Sequence, residues 1–580
     1  MKSTHFLAVF MACSSSLPLL AQKSASTPSA NSIQAAPEEG IPVTSQLVIS
    51  RCGSCHTKDD RGNLRRISWE RATPEGWEQA IKRMVRLQGV HLTPDEAHSI
   101  LKYLATYHGL APEEAEPVMY YAEHRIQDET NIPSDAVRGA CTNCHPMARP
   151  LSWRRTPQDW KLLVNLHIGL YPWADQSFRL GLNNYDPWEW PSHPAPDAPR
   201  PVDQALAYLA KAAPLHTPEW AAWRARMHAP RIAGRWIVSA SLLGHGKFFG
   251  EMEITPRPGL DDEFTTRVKL VSVKDGSTIE RSGHCLIYAG YAWRGRSKGT
   301  LSANPAPDDL GSDMREVMMI SPDESTAKGR WFWGQYQEFG FDVKMQRASA
   351  DPTLIGVDRT ALKTGSQGNR VRLIAESLPA QVAPSDLDFG TGVTVRRIVS
   401  HTPSEIVAEV DVAADGVPGM RDIAFRRSVL ESAVAVYNRV DYIKVKPDSG
   451  LARLGSESHP KGFQQFEAIG YQRGSDAGSH AGDIELGPMD VKWSVEEFYS
   501  VDGDDDKEFV GSLSPTGFFT PSSDGPNPQR KFSRNNYGDV WIVATAKQEK
   551  DKDGRPLSGK SYLVVTVPAY IRWDQPEVAQ

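Results

Sequence analysis

Two textures of hydrophobic and polar positions divide this chain. In the first, apolar positions recur at helical spacing: Trp77, Ile81 and Met84 stand at i, i+4 and i+7 behind Thr73-Pro74. Trp160, Val164 and His167 repeat that spacing behind Thr156-Pro157. Each Thr is placed to cap a helix, and each Pro takes the first helical position, where its missing N–H does no harm. Leu92 to Tyr107 reads as a further amphipathic helix with Thr93 as cap and Pro94 behind it, and Asp203 to Ala213 reads as its counterpart. Beyond residue 229 the period falls to two. Thr266 to Val273 alternates and then meets Lys274-Asp275-Gly276-Ser277, a hairpin-type turn; Glu405 to Val412 and Tyr562 to Val567 alternate in the same way.

These patterns predict helices followed by an all-β remainder, and 580 residues are too many for one core. The borders are placed at 46–228 for the helical region, 229–349 for a β-barrel-like domain, and 350–437 and 438–580 for two immunoglobulin-like β-sandwiches. Ahead of them, Lys2 and the apolar run Phe6–Ala12 lead to small residues near Ala21 and Gln22, so 1–22 reads as a secretory signal peptide. An acylated Cys13 is the weaker alternative. Residues 23–45, rich in Ser, Ala and Pro, read as a flexible leader. No later stretch is apolar enough for a membrane span, and a net charge of −6 on a chain this long suggests no nucleic-acid partner.

Four of the six cysteines lie in two copies of one pattern, Cys52-Gly-Ser-Cys55-His56 and Cys141-Thr-Asn-Cys144-His145. Two thiols three positions apart can bond the two vinyl groups of a haem, and the adjacent imidazole then faces the iron. A zinc half-site or a redox dithiol would use the same thiols. The histidine follows immediately both times, however, and no further cysteine pair completes a tetrathiolate. Cys285, in a strand-like stretch, reads as a buried free thiol.

The motifs belong to a repeat. Cys52–His56 is followed by Ile67-Ser68-Trp69 and Thr73-Pro74-Glu75-Gly76-Trp77; Cys141–His145 is followed by Leu151-Ser152-Trp153 and Thr156-Pro157-Gln158-Asp159-Trp160. The helical region therefore divides into copies at 46–112 and 113–228, and Met84 and His167 occupy equivalent positions. Each haem is expected to take its near-side ligand from His56 or His145, with Met84 opposite the first and His167 opposite the second. A thioether favours Fe(II) and raises the potential relative to an imidazole. Met84 as simple core and His167 as a satisfied buried histidine are the plain alternatives, and His91, His98, His108, Met119, His124 and Met147 are competing ligands. Arg65, Arg66, Arg154 and Arg155 are candidates for haem propionates or for a solvated surface. The acidic run Asp502–Asp506 reads as a solvated turn rather than a calcium loop. The fold expected is thus multidomain: an N-terminal all-α dihaem cytochrome c domain, then an all-β barrel and immunoglobulin-like sandwiches. The β part shows no nucleophile–base spacing and reads as docking surface.

In the order of these blocks the chain resembles the α subunit of quinohemoprotein amine dehydrogenase. The resemblance rests on both haem motifs, the TPEGW and TPQDW helices, Arg439–Pro447, Lys461–Phe466, Gly525–Arg530 and Asn535–Asp539. It implies a periplasmic heterotrimer. In that family the α chain carries two covalent haem c groups, one bis-histidine and one histidine–methionine, ahead of three β domains. One partner subunit is a β-propeller, and a small partner subunit bears a cysteine tryptophylquinone. The quinone oxidises a primary amine to aldehyde and ammonia, and electrons leave through the haems to a soluble cytochrome c or blue-copper acceptor. Catalytic residues are accordingly expected on another subunit and none here. A stand-alone dihaem electron carrier and a dihaem peroxidase are the other readings.

Overall fold

The computed structural model describes residues 39–119, 132–142, 144–180, 199–475, 480–498 and 504–568. The expected signal peptide, Cys13, His124 and most of the leader lie outside the described residues. At the end of that leader Ile41 and Val43 are buried, with backbone N–H groups donating to Ser68 O and Gly62 O.

The helical region contains α1 (Gln46–Cys52), α2 (Pro74–Gln88), α3 (Pro94–Tyr107), α4 (Pro112–Ala115), α5 (Asp135–Cys141), α6 (Ala148–Leu151), α7 (Pro157–Leu170), α8 (Pro172–Leu180), α9 (Pro201–Ala212) and α10 (Pro218–Arg226). The Thr-Pro reading holds at the atomic level. Thr73 Oγ1 accepts from Gly76 N, Thr156 Oγ1 from Asp159 N, and Thr93 forms a full capping box with Glu96. A third such start, Thr217-Pro218, opens α10 and was not singled out by the sequence reading.

The region is not purely helical. Strand β1 (Glu70–Ala72) pairs antiparallel with β2 (Trp153–Arg155), joining Glu70 to Arg155, Arg71 to Arg154 and Ala72 to Trp153. Each strand is the short link ahead of a Thr-Pro helix in its own copy, so the copies meet through near-equivalent residues. Three residues per strand are too few for a period-two pattern to reveal them. The duplication extends to the core: Trp77 Nε1 donates to the carbonyl of His108, the cap of α3, and Trp160 Nε1 donates to that of Ala213, the cap of α9.

Eight antiparallel strands follow: β3 (Gly234–Leu242), β4 (Gly246–Pro256), β5 (Glu263–Ser272), β6 (Thr278–Tyr288), β7 (Ala292–Gly299), β8 (Met314–Ile320), β9 (Thr326–Trp333) and β10 (Phe339–Arg347). They close into a barrel, β10 pairing with β3. Side chains including Trp236, Phe248, Trp293, Trp331 and Phe341 fill its interior, as an eight-stranded barrel allows. Part of the outer wall is buried as well. Leu286, Tyr288, Tyr291, Val317, Met319 and Phe332 belong to the core of the helical region, so the barrel is the platform on which the helices rest. Tyr291 OH donates to Leu110 O, Trp223 Nε1 donates to Ala289 O, and the buried pair Arg294–Glu75 ties β7 to the first turn of α2.

Residues 353–437 form two four-stranded sheets around one apolar core. Residues 442–566 form one four-stranded and two three-stranded sheets around another, one sheet more than a two-layer sandwich requires. No helix among the described residues is long and apolar enough to cross a membrane.

Candidate functional site

Each CxxCH motif sits where a helix ends. Cys52 closes α1 and Cys141 closes α5, and in the first motif the N–H groups of Cys55 and His56 both return to Cys52 O. This single turn keeps the two sulfurs near one another, Cys52 and Cys141 half-buried, Cys55 and Cys144 exposed, all four free of disulfides. Burial pushes the Cys52 thiol up, with the Cys55 sulfur adding to the effect, and burial pushes Cys141 up to about 12. A redox dithiol works through a lowered thiol pKa. These sulfurs are held the other way, as neutral thiols.

The imidazoles are oriented by their second nitrogens. His56 Nδ1 donates to Arg65 O at 2.7 Å, His145 Nδ1 to Pro146 O at 3.2 Å and His167 Nδ1 to Leu163 O at 2.8 Å. A carbonyl can only accept, so each Nδ1 carries the proton and each Nε2 keeps a lone pair for a metal. Burial, with the Arg149 cation adding to it, pushes His145 down to about 4; burial lowers His167 too, with Arg83 and Arg155 nearby. Both rings are neutral at neutral pH.

The His145 and His167 rings are neighbours in an edge-on arrangement, with centroids 6.5 Å apart and planes 60° from parallel. Metal–imidazole bonds are about 2 Å long and a ring centroid lies about 1.1 Å behind its nitrogen, so an ion held between two imidazoles separates their centroids by roughly 6 Å. The separation thus leaves room for one iron. Tyr171 and Phe178 ring the same histidine, with centroids 6.1 and 6.0 Å from that of His167. The donors present therefore fit a bis-histidine haem, for which Cys141 and Cys144 would be the thioether anchors. In the first copy, Cys52 likewise closes a helix, and His56 likewise donates Nδ1 to a backbone carbonyl. Met84 is half-buried at the position of α2 that matches His167 on α7, eleven residues past the capping threonine. Helix register alone ties it to the first motif.

Of the competing ligands, His108 is fully buried against Trp77 and Tyr103, and burial pushes it down to about 3. His98 faces Glu263 on the barrel at 3.5 Å. Met119 and Met147 are part of the helical core, and His91 is exposed.

The arginine reading needs correction. Arg65 is exposed, but Arg66, Arg154 and Arg155 are committed within the protein: Arg66 Nε bonds Asp159 at 2.8 Å, Arg154 Nε bonds Glu114 at 3.2 Å, and Arg155 Nη1 bonds Glu70 at 2.7 Å and also Asp159. Arg155 also lies over the Trp153 and Trp160 rings, 4.2 and 5.5 Å from their centroids. The cause is the ribbon, which presses the charges of the two copies together away from water. Burial pushes the Glu70 carboxyl up despite Arg155, and Asp159 adds to the rise. Arg71, to which the sequence assigned no role, is fully buried. It bonds Glu114 twice, at 2.7 and 2.9 Å, together with Leu215 O, Gly109 O and Thr217 Oγ1. In the last β region, Asp504, Asp505 and Asp506 converge on Arg530 and Arg534. The cluster is thus neutralised by guanidinium groups.

Among curated proteins none matches this chain. Solved structures that align with parts of it include a de novo designed fluorescence-activating β-barrel, with 17% identity over 20% of this chain and 93% of that one and a TM-score of 0.16. Human protocadherin-24 EC1-2 aligns with 12% identity over 39% and 98% (TM-score 0.15), and the teleost fish polymeric Ig receptor ectodomain with 11% over 38% and 100% (TM-score 0.15). Scores so low carry no argument about function. Four family models do, in chain order: quinohemoprotein amine dehydrogenase A, alpha subunit, haem binding, at residues 43–183; then the same alpha subunit's domain II at 229–348, domain III at 351–438 and domain IV at 443–578. Haem-binding helices and the three β regions are all matched in sequence, and the chain belongs to the quinohemoprotein amine dehydrogenase alpha-subunit family, as a haem-binding subunit of a multi-subunit oxidoreductase.

Proposed function

We propose that this chain is the dihaem c electron-transfer subunit of a periplasmic amine dehydrogenase. Electrons arrive from a cysteine tryptophylquinone on a small partner subunit, which oxidises primary amines to aldehyde and ammonia, and leave to a soluble cytochrome or blue-copper protein. A β-propeller is the other partner. Cys52 and Cys55 would hold one haem and Cys141 and Cys144 the other, with His56 and Met84 supplying donors to the iron of the first and His145 and His167 to that of the second. Bound haem supplies one-electron exchange between Fe(III) and Fe(II).

The chain's own residues orient and insulate that exchange. Three carbonyls fix the imidazole tautomers, and Trp77 and Trp160 are buried in the core of the two copies. The observation that carries the reading is the neighbouring pair His145–His167, spaced for one metal and supplied by a CxxCH motif on one side and the matching helix position on the other. Two imidazoles at this spacing would both be available to one iron, which favours electron transfer over peroxide binding at the second haem.

The test is the intact mass and visible spectrum of the mature chain purified with its native partners. Two haem adducts, one lost in Cys52→Ala and the other in Cys141→Ala, are expected, and the separated chain accepts electrons without oxidising amines. A mature chain with the mass of its amino acids alone, or amine turnover by the purified single chain, overturns the reading.

A further inference from the structure

The two motifs differ in how their histidines are held, and the difference begins at Arg66. This residue has φ 73° and ψ −56°, the γ-turn region that is strained for a non-glycine residue. Glycine would enter that conformation freely, yet the chain places arginine there, and the side chain accounts for the choice. Arg66 Nε bonds Asp159 Oδ1 at 2.8 Å, and Nη2 lies 3.6 Å from Glu70 Oε1. Asp159 belongs to α7 of the other copy and is itself fixed by Arg155 and by the cap of its helix. On the main chain, Arg65 N donates to Thr57 O, Ser68 N to Leu64 O and Trp69 N to Arg66 O. The strained turn is thus held from both sides, and its product is the direction of one carbonyl: Arg65 O, pointed at His56 Nδ1, 2.7 Å away.

The second copy is the internal control. Counting back from Trp69 and Trp153, Arg66 corresponds to Pro150 and Arg65 to Arg149. Proline cannot take a positive φ. The Arg149 carbonyl is received by Ser152, from Oγ at 2.7 Å and N at 3.2 Å, and His145 is left with its own neighbour, Pro146 O, at 3.2 Å. A histidine that donates a short hydrogen bond is a more basic ligand and favours Fe(III); one that donates a long bond favours it less.

We propose that Arg66, clamped by Asp159 of the other copy, is a positioning residue that aims the Arg65 carbonyl at His56 Nδ1 and so lowers the potential of the haem ligated by His56. This rests on the two-haem reading above. It makes the first haem's electron affinity depend on a contact contributed by the helix that ligates the second.

The test uses the full haem-loaded chain and the variants Arg66→Gly and Arg66→Lys, with redox titration of each haem and the His56 Nδ1 proton followed by NMR. Glycine can enter this conformation without strain, so the fold survives, but it also populates others, and without the clamp nothing holds the turn that aims the Arg65 carbonyl. Two effects then oppose one another. Loss of a cation alone lowers the potential by favouring Fe(III), whereas loss of the short His56 bond raises it. The expected result is a rise in the reduction constant of the first haem of about threefold, roughly 28 mV for one electron, with faster exchange of the Nδ1 proton and a smaller change at the second haem. Arg66→Lys, which keeps a cation within reach of Asp159, stays near wild type. A potential that falls or does not move in Arg66→Gly, or an unchanged Nδ1 signal, overturns the positioning role. Absence of haem at Cys52 and Cys55 in the wild-type chain overturns the two-haem reading and this role with it.

Discussion

Replacing Glu114 by glutamine should unfasten the junction between the two haem-motif copies. Its carboxylate accepts five hydrogen bonds: from Arg71 at 2.7 and 2.9 Å, Arg154 at 3.2 Å, Thr217 Oγ1 at 2.8 Å and Ala111 N at 2.8 Å. Burial alone would raise this carboxyl, but the bonds and charge of Arg71 and the charge of Arg154 override it and bring it to about 2. Measured against an unfolded carboxyl near 4.5, that shift is worth on the order of 3 kcal/mol above pH 4.5. Breaking a buried ion pair from one side costs about 3–5 kcal/mol, and in Glu114→Gln the cost is the fully buried Arg71 left without its anion. The two estimates agree in size. Because the folded pKa is depressed, the stabilisation is complete above about pH 4.5 and is lost as pH falls towards 2. Denaturant unfolding of the haem-loaded chain, followed by Soret absorbance to isolate the helical region from the β domains, measures it. The midpoint for Glu114→Gln should fall by an amount equivalent to roughly 3 kcal/mol at pH 7, and the difference from wild type should shrink steadily below pH 4.5. A loss under 1 kcal/mol, or a difference that does not change with pH, refutes the argument.

Met84→His should lower the potential of the first haem while both haems remain attached, since imidazole favours Fe(III) more than a thioether does; an unchanged redox titration removes Met84 as ligand. Phe532, almost fully exposed with φ 61°, contributes little burial but carries backbone strain. Phe532→Gly should therefore raise stability by about 1 kcal/mol, read as a higher melting temperature of the last β transition, and a lower one contradicts the strain argument. Glu75→Ala leaves Arg294 buried at the barrel wall and should cost about 3–5 kcal/mol. Calorimetry should show the helical transition separating from that of the barrel, and an unchanged thermogram denies that the pair couples them.

How much of this could be read from residues alone depends on the range of the interaction. The Thr-Pro starts, the Trp77 and Trp160 helices and the alternating strands were legible because caps and periodicity act within a turn or a strand. The closeness of the His145 and His167 rings follows the repeat, which preserved helix register even where the side chain changed. The β1–β2 ribbon was not, since three residues carry no period and their pairing is set by where two distant copies meet. For the same reason Arg154 and Arg155 looked like surface or propionate groups, although their partners Glu114, Glu70 and Asp159 lie 4 to 85 residues away in sequence. Arg66 illustrates the limit most clearly. Nothing in the string Arg65-Arg66-Ile67 announces a positive φ, because the force that holds it arrives from α7.

The ribbon also changes what the duplication means. Were the copies independent, each would own its core and could be tuned separately. Instead Arg71 of the first copy donates to Leu215 O and Thr217 of the second, Trp153 of the second packs 5.7 Å from Trp77 of the first, and a Cβ on Gly76 would meet the Trp153 ring at 3.0 Å. Buried charge reinforces this, because separating the copies would take Glu114 from Arg71, Arg155 from Glu70 and Arg66 from Asp159, which is costlier than exposing apolar area alone. The copies therefore fold as one unit, and their geometry relative to each other is fixed by groups that cannot be solvated cheaply. Under the proposed two-haem function, a charged and aromatic seam that permits no sliding would hold the two centres at one separation, on which electron exchange depends steeply.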